Sequence, residues 1–224
     1  MSAGEARPGE ALLRAAEVMD RLWGFGGWEV TQTHASLTRY LVEETYEVLD
    51  AVADGDPQHL RDELGDLLLQ VLFHSRIASA AGEFDVDDVA DALVAKLTRR
   101  SPHLADEWTG PVDVAEQERA WERAKAAEHS GRAARSVADR VARSQPPCDR
   151  AAELIARARD AGLPADAVSA ELTERLARAE AARAEVAAAT DRFEARLRAA
   201  EVAARAAGVT AMTSSVWLRY LGDD

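Results

Sequence analysis

Apolar residues recur every three to four positions along most of the chain, the spacing of one face of an α-helix. No stretch shows the sustained two-residue alternation of β-branched and aromatic side chains that marks a half-buried strand. The pattern predicts an all-α protein. A first helix is expected over Glu10–Leu22, stopped by the cluster Gly24, Gly26 and Gly27. A second should begin near Ser36, whose hydroxyl is a candidate N-cap, and run to Asp54, where Gly55, Asp56 and Pro57 make a turn. A third is expected over Pro57–Ala81, ended by Gly82, and a fourth over Asp85–Arg100, closed by Ser101 and Pro102. A looser stretch around Thr109, Gly110 and Pro111 precedes a fifth helix over Val114–Glu128. The short turn at Gly55–Pro57 makes the second and third helices antiparallel neighbours.

This punctuation divides the chain into a helical domain over residues 1–130, a linker over residues 131–148 that contains Pro146 and Pro147, and a helical C-terminal region over residues 149–224. The last part is rich in Ala, Arg and Glu with few large apolar residues, which suits a long amphipathic helix. A second reading is a degenerate repeat. Arg14-Ala15-Ala16-Glu17-Val18 recurs as Arg150-Ala151-Ala152-Glu153-Leu154, and Lys96 with Arg100 has a counterpart in Arg192 with Arg196. Such a copy lacks the acidic segment described below. A composition rich in Ala and Arg produces the same likeness, so both readings stand.

The 224 residues carry a net charge of −13, which disfavours a nucleic-acid polymer as partner because that binding draws on Lys and Arg contacts to phosphates. An acidic site can still hold a phosphorylated small molecule through a divalent cation. The single cysteine, Cys148, can form no internal disulfide, and the first residues lack the basic and then apolar regions of a signal peptide. No apolar run approaches the roughly 20 residues needed to span a bilayer. The expectation is a cytoplasmic protein with no membrane partner.

Candidate chemistry sits on the second and third helices. Glu43, Glu44 and Glu47 fall on one side of the second helix, and alone they read as the solvated stripe of an amphipathic helix. The third helix changes the picture. Its apolar residues fall nearly all round, which predicts burial on most sides, and Glu63 and Asp66 lie among them three residues apart. Burying two unpaired carboxylates costs several kcal/mol each, so the pair needs a counter-ion or protonation. Arg61 and Arg76 point elsewhere on the helical wheel, which leaves a cation shared with the acids of the antiparallel neighbour. Gly65, between the two acids, is expected to let the helices approach closely. All-carboxylate donors suit Mg²⁺ or Mn²⁺ rather than zinc. A di-iron bundle would need Glu-x-x-His on two helices, and no histidine here has a glutamate three residues before it. His34, His74 and His103 read as polar packing or capping residues, and Cys148 has no motif that would make it a nucleophile.

The pattern Glu-Glu-x-x-Glu followed by Glu-Leu-Gly-Asp, within LVEETYEVLDAV and DELGDLLLQVLFHSRIA, resembles the MazG-type all-α nucleoside triphosphate pyrophosphohydrolases over about residues 10 to 130. The segment from Trp28 to Leu37 is similar to that family's Cys-Pro-Trp-Asp and Gln-Thr-His-x-Ser-Leu motif, with Gly26 and Gly27 in place of Cys-Pro and Glu29 in place of Asp. Lys96 to His103 resembles its Lys-x-x-Arg-Arg-His-Pro-His, with Ser101 in place of a histidine, and Trp121, Glu122 and Lys125 match Trp-Glu-x-x-Lys. The resemblance implies an antiparallel helical bundle, assembled as a homodimer, that hydrolyses nucleoside triphosphates between the α- and β-phosphates. It implies Glu43, Glu44, Glu47, Glu63 and Asp66 as metal ligands, with Glu44, Glu47 and Glu63 taking part in catalysis. Lys96, Arg100, Trp121, Lys125 and Trp28 become candidate substrate contacts. Two alternatives remain at this stage: a non-enzymatic helical interaction protein, and a narrower relative such as a dUTP or dCTP hydrolase or a phosphoribosyl-ATP pyrophosphohydrolase.

Overall fold

A computed structural model describes residues 9–101, 113–130 and 136–221 of the chain. The helix α1 spans Glu10–Phe25, α2 His34–Asp54, α3 Pro57–Ala81, α4 Val86–Arg100 and α5 Val114–Ser130; α6 spans Pro147–Asp160, α7 Ala170–Ala206 and α8 Ser214–Tyr220. Among the described residues there is no strand, as the apolar periodicity predicts. The chain divides into two compact units, Met1–Glu128 and His129–Asp224. No helix among the described residues is long and apolar enough to cross a membrane.

In the first unit, α2 and α3 form an antiparallel hairpin. Its sharp turn follows from local chemistry: Gly55 takes the left-handed conformation at φ 69°, the Asp56 side chain accepts from the Gln58 backbone N–H at 2.9 Å, and Pro57 opens α3. The start of α2 differs from expectation. Thr33 is the N-cap, accepting from Ser36 N at 3.1 Å, while Ser36 Oγ accepts from Thr33 N at 3.0 Å. Ser36 therefore closes a reciprocal capping box as the third helical residue instead of starting the helix. Likewise Gly24 lies inside α1, which continues to Phe25 and stops at Gly26 with φ 76°.

The core joins α1, α2 and α3 through Met19, Leu37, Leu72 and Phe73, with Trp23, Tyr40, Ile77 and Val86 packed against it. The expectation that α3 is buried on most sides is not met within this chain. Leu64 is 49% exposed and Leu69 39% exposed, because α1, α2 and α4 cover only part of an apolar surface that extends further round the helix. Gly65 does not serve a close approach of α2 and α3 either. A Cβ added there would meet nothing within 4 Å, and the residue lines a shallow apolar groove with Val18, Leu22, Leu68 and Leu69.

In the second unit, α7 is a single helix of 37 residues, about 55 Å long at 1.5 Å per residue. Its Arg183 pairs with Asp149 of α6 at 2.9 Å, and its Ala200 and Ala204 are buried. Small alanines permit close contacts but bury little area, so ion pairs one turn apart, such as Arg175 with Glu171, line the exposed sides.

Candidate functional site

Three carboxylates converge where the hairpin's two helices face each other. Glu44 from α2 and Glu63 and Asp66 from α3 each present a ligand atom within 4.8 Å of the others. They are the described residues' one group of three or more potential metal ligands. Glu63 and Asp66 share a face because they are three residues apart, and the short Gly55–Pro57 turn sets the register that brings Glu44 opposite them.

Glu43 and Glu47 lie outside this group and act on it through Glu44. The Glu44 carboxyl is pushed up to about 7, chiefly by burial, next by a hydrogen bond with the Glu47 carboxyl, then by the charges of Asp66, Glu47 and Glu43. Glu43, Glu47 and Asp66 therefore all act on Glu44, with Glu63 in the same converging group. Among the described residues, no lysine or arginine ion pair reaches Glu44, Glu63 or Asp66. Arg61 pairs instead with Asp62 at 2.6 Å and Arg76 with Asp20 at 3.0 Å, as their places on the wheel predict. Crowded oxygen donors without a fixed cationic side chain fit a hard divalent cation.

One neighbour of the cluster has no counterpart in the sequence reading. His59 Nε2 lies 3.3 Å from Glu63 Oε1, and Nδ1 of the same ring lies 3.5 Å from Asp54 Oδ2. The four-residue spacing from His59 to Glu63 is the signal that could have found it.

The basic candidates form a second group, on α4 and α5. Arg100 donates to both Glu128 oxygens, from Nε at 3.1 Å and Nη2 at 2.8 Å, and Arg99 adds a bond at 2.8 Å. The Arg100 guanidinium also lies over the Trp121 ring, 5.3 Å from its centroid. Glu128 is held down at about 2, first by its bond from Arg100. Arg100 and Trp121 are thus brought together, while Lys125 pairs with Glu122 at 3.1 Å and Lys96 stands exposed on α4. Glu128 is a partner that no local spacing reveals, being 28 residues from Arg100.

Trp28 packs edge-on against Phe73 at 5.7 Å and Tyr40 at 6.3 Å between ring centroids, yet is 52% exposed. It packs over the end of the hairpin and leaves about half of its surface open. His34 and His74, 40 residues apart, stack with ring planes 2° from parallel and their Nδ1 atoms 2.7 Å apart. Polar packing describes both. His103 lies outside the described residues.

Comparison with known proteins agrees with this geometry. Residues 32–105 match the family model for the MazG nucleotide pyrophosphohydrolase domain. The chain is 49% identical over 176 residues to a nucleoside triphosphate pyrophosphohydrolase of Mycolicibacterium smegmatis, covering 77% of this chain and 53% of that protein. It is 50% identical over 176 residues to the protein of that name in Mycobacterium tuberculosis, with 77% and 52% covered, and 40% identical over 135 residues to the one in Escherichia coli K12, with 60% and 51% covered. The chain spans about half the length of these relatives.

Proposed function

From a chain whose residues 32–105 match the MazG nucleotide pyrophosphohydrolase domain, we propose metal-dependent hydrolysis of nucleoside triphosphates to monophosphate and pyrophosphate, as a cytoplasmic house-cleaning activity on the nucleotide pool. The observation that carries this reading is the convergence of Glu44, Glu63 and Asp66 within 4.8 Å, around a carboxyl whose proton affinity is shifted to neutrality.

Glu44, Glu63 and Asp66, with Glu43 and Glu47 beside them, would hold Mg²⁺ or Mn²⁺. A cation there neutralises triphosphate charge and makes a water easier to deprotonate. Glu44, crowded by Glu47, Asp66 and Glu43, would act as the base toward the attacking water, with Glu47 sharing the proton; coupled carboxyls of this kind titrate as a group. Lys96 and Arg100 take phosphate oxygens as charge develops on the leaving pyrophosphate. The exposed part of Trp28, together with Trp121, supplies stacking for the base, and Lys125 a further phosphate contact.

The working form is a homodimer. The exposed apolar residues of α3, Leu64, Leu68 and Leu69, and the adjoining groove on α1 support this, since a second copy would bury what one chain leaves uncovered. The second unit is read as a degenerate copy that packs without carrying chemistry. Among its described residues it has no acidic group like that of α2 and α3.

A coupled assay tests the reaction. Orthophosphate should appear from nucleoside triphosphates with Mg²⁺ only after inorganic pyrophosphatase is added, and Glu63→Gln should abolish it. Orthophosphate released without the coupling enzyme would overturn the reading.

A further inference from the structure

His59 stands in the first turn of α3, one helical turn before Glu63, and reaches across the hairpin turn to the last residue of α2. Its ring is 39% exposed, whereas the Glu63 side chain it touches is only 16% exposed. The two contacts run in series: Asp54 Oδ2 to Nδ1 at 3.5 Å, and Nε2 to Glu63 Oε1 at 3.3 Å. Both are ion-pair distances, and they put the imidazole against Glu63 Oε1 on the turn side.

Glu63 needs such a hold. It has three rotatable side-chain bonds and faces Glu44 and Asp66 across less than 4.8 Å, so repulsion among the acids favours rotamers that swing it outward. A ring on the turn side that pairs with the carboxylate opposes that swing and keeps it in place before a cation arrives. Residues that orient metal-binding groups in this way are worth about 10- to 100-fold in metal affinity.

We propose that His59 is a positioning residue for Glu63, steadied by Asp54, that presets the carboxylate for the divalent cation. The inference rests on the reading of the acidic cluster as a metal site. It concerns ligand geometry, not proton transfer, so the effect belongs to metal affinity and is present without nucleotide.

The test is Mn²⁺ binding to the nucleotide-free chain, followed by the electron paramagnetic resonance signal of free Mn²⁺, with circular dichroism melts as a check on folding. His59→Ala should weaken binding about tenfold at an unchanged melting temperature. His59→Gln, whose amide N–H can reach the position of imidazole Nε2, should restore affinity to within a few-fold of wild type. Equal affinity of His59→Ala and wild type would overturn the positioning role and leave the metal site standing. Equal weakness of the Ala and Gln variants would also overturn it, because the donor would not be the cause. Absence of Mn²⁺ binding by the wild type would instead overturn the metal reading itself.

Discussion

Arg100 of α4 and Glu128 of α5 form a two-pronged ion pair, with both Glu128 oxygens accepting from one guanidinium. A carboxylate held in this way presents the oxygens that a phosphate would present to the same arginine. If Arg100 binds the triphosphate, Glu128 must yield its place. Glu128→Gln is expected to lower KM for nucleoside triphosphates several-fold with kcat little changed, as removal of a ground-state competitor does. Steady-state kinetics check this, and a raised KM would mean that Glu128 orients Arg100 instead.

The same pair sets an acid limit for α4 and α5. The folded value of Glu128, about 2, lies below the ordinary 4.5, so its stabilisation is complete above pH 4.5 and is lost as pH falls toward 2. Trp121 fluorescence, quenched or shifted by the guanidinium over its ring, should report the loss in that window, and Glu128→Gln should remove the transition.

The Glu44 carboxyl works in the opposite sense. Its folded value is raised to about 7 from 4.5, so between those pH values the folded chain binds more protons than the unfolded one, and stability falls as pH rises. Urea melts in EDTA should give higher stability near pH 5 than at pH 8. Glu44→Gln should flatten the slope, and Mg²⁺ should restore stability at pH 8 by favouring the ionised cluster. A metal-free chain with no slope that depends on Glu44 would contradict the crowding seen at the site.

His34 and His74 supply a separate dependence. His74 Nε2 is buried with no partner, so the proton of the neutral ring belongs on Nδ1, which donates to His34 Nδ1. His74 is lowered from 6.5, first by burial and then by His34, so this contact's contribution is present above pH 6.5 and is lost as pH falls through the lowered value. Nitrogen NMR of the two rings should show the Nδ1–H form for His74, and His34→Ala should lessen the acid-side loss without removing it, because burial of His74 remains.

Leu37 is 1% exposed at the meeting point of α1, α2 and α3. Leu37→Ala should cost about 2–5 kcal/mol in urea unfolding, the range for a large side chain removed from a packed core. A loss well below that would mean that the core around Met19, Leu72 and Phe73 collapses into the cavity.

The sequence exposed what local spacing encodes. The limits of α3 follow from Asp56-Pro57 at one end and Gly82 at the other, and the three-residue step from Glu63 to Asp66 places both acids on one face. Where two residues compete for one role, the pattern chose the wrong one, Ser36 for Thr33 at the start of α2, and among the three glycines that end α1 it did not single out Gly26. Only backbone conformation separates such pairs. The Arg100–Glu128 and His34–His74 contacts join residues 28 and 40 positions apart, and nothing in the intervening sequence signals them. The open surface at Gly65 had the same cause, since an apolar helix face does not say whether the same chain covers it.

The most direct test of the central claim is phosphorus NMR of the purified chain with a panel of ribo- and deoxyribonucleoside triphosphates, with Mg²⁺ and again with EDTA. The account predicts monophosphate and pyrophosphate resonances rising together with Mg²⁺ and neither rising with EDTA. Diphosphate with orthophosphate, or turnover that persists without a divalent cation, would contradict it.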